Sequence, residues 1–219
     1  MTEIILGIDL GTTNSVASIW DGNKYKIIKN KKSDYFPSVI EFTEEGKKIS
    51  NNDNNLENSI LNIKRLIGCN IENMSLYKLF LDTNFDYKII DNVINFYNKY
   101  EDKYYTIEEL NSLILKNIVI NAKKQLNISD LKDIVITIPA HFGQIQRDSI
   151  ITSCKLAQLN CLRVINEPVS AALTYGLTYH NDVNVLIFDL GGGTFDLSLL
   201  NIDEGIYEVI DTEGNNYLG

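Results

Sequence analysis

The chain has 219 residues and a formal net charge of −9, which argues against non-specific nucleic-acid binding, since that needs lysine and arginine to neutralise phosphates. With 44% hydrophobic and 22% charged residues it is a globular composition, long enough to bury a sizeable core as one large domain or two small ones. Any nucleotide site must therefore rely on backbone and metal more than on a basic patch.

Met1-Thr2-Glu3 leads into a strand with neither a basic leader nor a small-residue cleavage site, so no signal peptide is expected. The apolar run 4–8 reads as a buried strand, followed by Asp9-Leu10-Gly11-Thr12-Thr13 and a second run at 16–20. Asp21-Gly22-Asn23 is a turn signal, and 25–28 alternate as a third antiparallel strand. A different composition begins near Phe36-Pro37-Ser38, where an apolar run at 39–42 precedes a polar tract at 50–58, and the spacing predicts an inserted subdomain over 38–105. Within it a helix is expected to end at Gly68, with Lys64 and Arg65 as solvated partners of its dipole. Runs at 87–90 and 93–97 predict strands, and 99–104 a charged turn.

Thr106 and Glu109 form a capping box that opens a long helix with Leu110, Leu113, Ile114 and Ile118 on its buried stripe. A fully apolar strand at 134–138 ends at Pro139, and a second helix starts near Gly143. Another short strand is expected at 162–165, then a third helix from Pro168 to Gly176. The three cysteines, Cys69, Cys154 and Cys161, contain no Cys-x-x-Cys pair, so neither zinc nor a disulfide framework is indicated and a reducing, cytoplasmic compartment is expected. No uncharged apolar run approaches the roughly eighteen residues of a membrane helix.

At Asp189-Leu190-Gly191-Gly192-Gly193-Thr194-Phe195-Asp196 the opening device returns, after a run at 183–188 that reads as another buried strand. Strands at 197–202 and 206–210, with Asp203-Glu204-Gly205 between, complete a second meander. Glycines and small hydroxyl residues in such turns let backbone N–H groups converge on an anion, and phosphate suits them. Asp9 and Asp189 at the strand ends would repel a bare phosphate but could hold hydrated Mg²⁺ that bridges it, with Thr12, Thr13 and Thr194 as hydroxyl donors. No Gly-x-x-x-x-Gly-Lys-Ser/Thr occurs, which excludes a P-loop. The order of elements predicts an α/β fold with a mixed sheet flanked by helices.

Gly7-Ile8-Asp9-Leu10-Gly11-Thr12-Thr13-Asn14-Ser15, Lys64-Arg65-Leu66-Ile67-Gly68, Ile138-Pro139-Ala140, Ile165-Asn166-Glu167-Pro168 and 187–196 resemble, in order, the ATPase domain of the 70-kDa heat-shock protein chaperones. The resemblance covers essentially the whole chain. It implies an actin-like (ribonuclease-H-like) ATPase fold with the first lobe complete, in 1–37 and 106–180, and the second only begun, in 181–219. ATP and ADP with Mg²⁺ are the implied ligands, and K⁺ is a candidate second ion. By position, Gly11, Thr12, Thr13, Asn14, Gly191, Gly192, Gly193 and Thr194 would contact nucleotide, Asp9 and Asp189 would arrange the waters of the metal, and Lys64, Glu167 and Asp196 would be catalytic. Lys64 would orient the attacking water, which reverses its reading as a solvated residue. Pro139 and Arg147 match a relay that couples nucleotide state to a peptide-binding domain.

The implied function is ATP hydrolysis in a stress-response protein-folding machine, with J-domain co-chaperones and nucleotide-exchange factors as partners, unfolded polypeptide held through a domain this chain lacks, and no nucleic acid or membrane. His141 stands where the family usually has tyrosine and Gly143 where asparagine is usual, and neither His141 nor His180 is assigned chemistry. The stop at Gly219, short of most of the adenosine-binding half, is expected to reflect truncation. Two alternatives are a non-enzymatic co-chaperone-binding or decoy module with vestigial nucleotide binding, and a sugar or acetate kinase or actin-like filament protein of the same superfamily.

Overall fold

The computed structural model describes residues 4–49, 59–69, 72, 86–175, 182–192, 194–215 and 218. The polar tract at 50–58, the helix end at Gly176, His180 and Gly193 lie outside these. The fold is mixed α/β, and its largest sheet is itself mixed.

The first three strands are β1 (Leu6–Asp9), β2 (Asn14–Trp20) and β3 (Tyr25–Ile27), an antiparallel meander. Its inward residues alternate as a half-buried sheet requires: Leu6, Ile8, Ala17 and Ile19 are all buried. The β2–β3 turn closes because the Asp21 carboxylate accepts from the amides of Asn23 and Lys24 at 3.0 and 2.9 Å, while Gly22 takes φ 96°. Near its start β2 also pairs with β4 (Phe36–Pro37).

The chain then forms β5 (Ile40–Thr43), β6 (Gly46–Ile49) and β7 (Ser59–Ile60), paired in the order β6-β5-β7. Lys64 lies on a single 3₁₀ turn, Ile63–Leu66, instead of on the end of an α-helix. That turn is pinned by burial of Ile63 and Leu66 and leaves through Gly68 at φ 75°, a conformation that glycine adopts at little cost. A separate sheet follows from β8 (Tyr87–Ile90), β9 (Val93–Asn98) and β10 (Lys103–Thr106). The expected charged turn is thus shorter than 99–104, because Lys103 and Tyr104 pair with Asn98 and Tyr97.

The capping box forms as expected: the Glu109 amide donates to Thr106 Oγ1 at 3.2 Å, and the Thr106 amide to Glu109 Oε2 at 2.9 Å. It opens α1 (Ile107–Leu126), whose Leu110, Ile114 and Ile118 are buried and whose Leu113 is partly so. This helix carries the chain back so that β11 (Asp133–Ile138) pairs in parallel with β1. The next helix, α2 (Gln144–Leu156), packs beside α1, joined by a 2.6 Å hydrogen bond from Ser149 Oγ to Glu108 Oε1. It returns the chain to β12 (Asn160–Asn166), again parallel, and the main sheet runs β12-β11-β1-β2-β3. Cys69 and Cys154 are buried, Cys161 is half-buried, and all three are free thiols.

A short helix, α3 (Glu167–Thr174), with Pro168 in its first turn, links this sheet to the second meander, β13 (Val183–Leu190), β14 (Phe195–Asp203) and β15 (Ile206–Asn215). Leu200, Ile202 and Ala172 form a small core there, with Val169, Val185 and Ile187 against it. The expectation of a buried β13 is not met: Val183, Val185 and Ile187 are half-buried on that face and no residue of the strand is buried. Leu186, Phe188 and Leu190 point away and are 62%, 69% and 60% exposed. An apolar run on both faces calls for cover on both, and among the described residues one face has it. No helix among the described residues is long and apolar enough to cross a membrane.

Candidate functional site

The tips of the two meanders meet. In the first turn, an added Cβ on Gly11 would lie 2.0 Å from the backbone oxygen of Asn14, so the hairpin can close only over glycine. The second turn closes with the Gly191 amide donating to the Thr194 carbonyl at 2.9 Å. Thr13 Oγ1 donates across to the Gly192 carbonyl at 3.1 Å, and a Cβ on Gly192 would come within 2.7 Å of that hydroxyl. The Thr13 carbonyl is itself fixed by the Ser38 amide at 2.8 Å. Thr12 is half-buried within its turn, and Asn14 begins β2 opposite Pro37.

Carboxylates ring this junction. Asp9 ends β1 in register with Thr137 of the parallel β11, and Thr137 Oγ1 donates to Asp9 Oδ1 at 2.9 Å. Asp189 and Asp196 face one another as register partners on β13 and β14. Glu167, at the first residue of α3, receives Lys64 Nζ at 2.6 Å, with the two side chains only 10% (Lys64) and 17% (Glu167) exposed. Lys64 is therefore a buried partner of a carboxylate, and its reading as a solvated dipole partner is corrected. Glu167, Asp189 and Asp196 line one cavity of about 360 Å³ together with Pro139, Ala140 and Phe188.

The charges are visibly strained. Burial raises the Glu167 carboxyl above its usual range, opposed by Lys64 and reinforced by Asp9 and Asp189. Burial also raises Asp189, with the nearby Asp196 and Asp9 charges adding to it. Asp196 is lowered, chiefly by a hydrogen bond from His141, whose Nδ1 lies 3.2 Å from Asp196 Oδ1. Among the described residues no group of three His, Cys, Asp or Glu side chains is arranged to hold a metal ion directly. Glu167 and Asp189, raised first by burial and further by the acidic groups around them, with Asp9 close by, fit a hydrated divalent cation held through water, the usual habit of Mg²⁺.

Seven of the sequence-predicted residues thus converge: Asp9, Thr13, Lys64, Glu167, Asp189, Gly192 and Asp196. Arg147 stands apart, its guanidinium donating to Asn166 Oδ1 at 2.7 Å, one residue before Glu167, while Pro139 reaches the cavity. Gly143 precedes α2 with its amide donating to Gln146 Oε1 at 3.1 Å. Sequence reasoning missed Thr137 and His141. The first was accessible from the alternation in β11, where buried Ile134, Ile136 and Ile138 put Thr137 on the other face; the second had no local signal.

The chain is similar to a chaperone protein dnaK from Thalassiosira pseudonana, 35% identical over 98% of this chain and 36% of the relative. It is also similar to a chaperone protein HscA from Buchnera aphidicola subsp. Baizongia pistaciae, 38% identical over 100% of this chain and 43% of the relative. The chain thus spans about two fifths of the length of these curated relatives. The Hsp70 protein family model matches residues 5–219, which include every residue of the two meanders and of the carboxylate ring between them, and the chain belongs to the Hsp70 family.

Proposed function

We propose that the chain binds Mg-ATP where the two hairpin turns meet, and hydrolyses it as the nucleotide-handling part of a chaperone. The observation that carries this is the 2.6 Å Lys64–Glu167 pair set among Asp9, Asp189 and Asp196 beside two glycine-threonine turns. In this reading 1–37 and 106–180 form one lobe of an actin-like fold, 38–105 its insert, and 181–219 the first meander of the other lobe. Coupling through Pro139 and Arg147 to a peptide-binding domain, J-domain and nucleotide-exchange partners, and cytoplasmic location belong to the same reading.

The residues have separate tasks. Backbone amides of Gly11, Thr12, Thr13 and of 192–194 bind phosphate oxygens, the Gly191 amide closes its own turn, and the Thr13 hydroxyl holds the two turns together. Asp9 and Asp189 would hold Mg²⁺ through water, and that ion supplies charge neutralisation on the phosphates when bound. Lys64 is oriented by its 2.6 Å contact with Glu167, so that its ammonium can position water and stabilise charge at the transferred phosphoryl group. Asp196 and Glu167 accept hydrogen bonds from that water.

Equilibrium binding of Mg-ATP, followed by single-turnover phosphate release on the same samples, tests this with Asp189→Asn as control. The expected result is binding that the control weakens for Mg-ATP far more than for metal-free nucleotide. A folded chain that binds no nucleotide would favour the non-enzymatic module, which the exposed apolar face at Leu186, Phe188 and Leu190 would serve.

A further inference from the structure

We propose that His141 is a positioning residue for hydrolysis, holding the Asp196 carboxylate from the opposite sheet. The inference rests on the ATPase reading and adds to it a group that the family resemblance leaves without a role. His141 belongs to the turn that joins β11 to α2, closed by the Phe142 amide donating to the Pro139 carbonyl at 3.2 Å. Its ring lies edge-on to Phe142, centroids 5.4 Å apart at 82°, which sets its orientation. From there Nδ1 comes within 3.2 Å of Asp196 Oδ1 on β14.

Asp196 is seated closely. The same Oδ1 would lie 3.2 Å from a Cβ on Gly214, so β15 backs the carboxylate with a residue that leaves room for it. Asp189 stands in register opposite, and its negative charge would turn an unanchored carboxylate away. Thr194 also hydrogen-bonds Asp196, and the Lys64 charge favours its ionised form. His141 differs in origin from Thr194, which adjoins β14 itself: like Lys64 it comes from the first part of the chain, reaching from the turn after β11 across the line where the two meanders meet. At 42% exposure the imidazole could be satisfied by water, so folding alone does not require this contact. A donor placed here joins the relay segment at Pro139 and Ala140 to a carboxylate of the same cavity.

The test uses the chain with His141→Phe, which keeps a ring but no donor, and His141→Asn, whose amide nitrogen replaces Nδ1–H. Loss of the donor is expected to slow single-turnover phosphate release about tenfold, the scale of one hydrogen bond to a charged group, with Mg-ATP affinity changed less than about twofold. His141→Asn is expected to recover the rate to within about threefold of wild type. The chain has two histidines, so the imidazole ¹⁵N shifts of His141 can be assigned by the variants, and at pH 8 they should show the Nδ1–H tautomer, lost in Asp196→Asn. Unchanged turnover in His141→Phe, equal slowing by both variants, or nitrogen shifts indifferent to Asp196→Asn would each overturn the inference. A wild-type chain that turns over no ATP overturns the reading beneath it, and the nitrogen shifts, which need no nucleotide, then decide the pairing by themselves.

Discussion

Replacing Lys64 by methionine keeps an unbranched side chain but removes the ammonium that lies 2.6 Å from Glu167. The glutamate is then left 17% exposed, with Asp9 and Asp189 still acting against its charge and no cation in contact. Removing one partner of a buried pair typically costs about 3–5 kcal/mol. The carboxyl can escape by taking up a proton, and doing so at pH 7 from an ordinary glutamate value of 4.5 costs about 3.4 kcal/mol. The expected loss at pH 7 is therefore about 3 kcal/mol, which lowers the midpoint of thermal unfolding by about 6–12 °C in a chain of this size.

At pH 5 the same escape costs about 0.7 kcal/mol, so the loss should nearly vanish there. Lys64→Met with Glu167→Gln buries no charge and should stand within about 1 kcal/mol of the wild type at both values. Urea unfolding followed by circular dichroism at pH 5 and pH 7, on wild type, both single variants and the double, measures all of this. A Lys64→Met loss equal at the two pH values, or a double variant as weak as the two singles added together, would refute Glu167 as the buried partner of Lys64.

Two further outcomes follow from the junction. Gly11→Ala puts a Cβ 2.0 Å from a backbone oxygen and should cost about 3 kcal/mol or more, whereas Gly192→Ala meets the Thr13 side chain, its hydroxyl at 2.7 Å and its Cβ at 3.1 Å, and should cost about 1 kcal/mol, the cross-turn hydrogen bond; comparable losses on urea unfolding would contradict the geometry. Asp189 has a raised carboxyl, so the stability it contributes is present below its ordinary value of 3.8 and lost as pH rises through its folded value. Without metal, Asp189→Asn should therefore gain on the wild type between pH 4 and pH 7, and a relative loss over that range would refute a carboxylate disfavoured by burial and its acidic neighbours.

What was legible in the sequence was local. Thr106 and Glu109 stand three apart, and the helix start they predict is the one observed. The repeated strand-turn-strand device at Asp9 and Asp189 located both meanders because alternation and glycine are read within a few residues. The errors were also local in origin. Ile63 and Leu66 are spaced for either an α-helix or a 3₁₀ turn, and only their packing chose the tighter one. Lys103 and Tyr104 looked like turn because Glu101-Asp102 precedes them, and pairing with Asn98 and Tyr97 overrode that composition. The exposure of Leu186 and Phe188 depends on what covers the sheet, which hydrophobicity alone does not state.

The site was legible only in part for a different reason: its contacts join residues that no periodicity connects. Lys64 and Glu167 are 103 positions apart, and nothing near Lys64 distinguishes it from a solvated lysine; the family resemblance, not its neighbours, singled it out. His141 shows the converse, since it departs from the family's usual residue and its partner lies on another sheet. The electrostatics nevertheless connect the two levels. A chain of net charge −9 has little basic surface to offer phosphate, and its site concentrates the same sign: Asp9, Asp189, Asp196 and Glu167 around Lys64. A triphosphate entering such a ring would be repelled, while its complex with a divalent cation would relieve the repulsion that adds to burial in raising Asp189. On the proposed reading, the same acidity that argues against non-specific nucleic-acid binding at the scale of the whole chain would favour, at the scale of the cavity, a nucleotide that arrives with its metal.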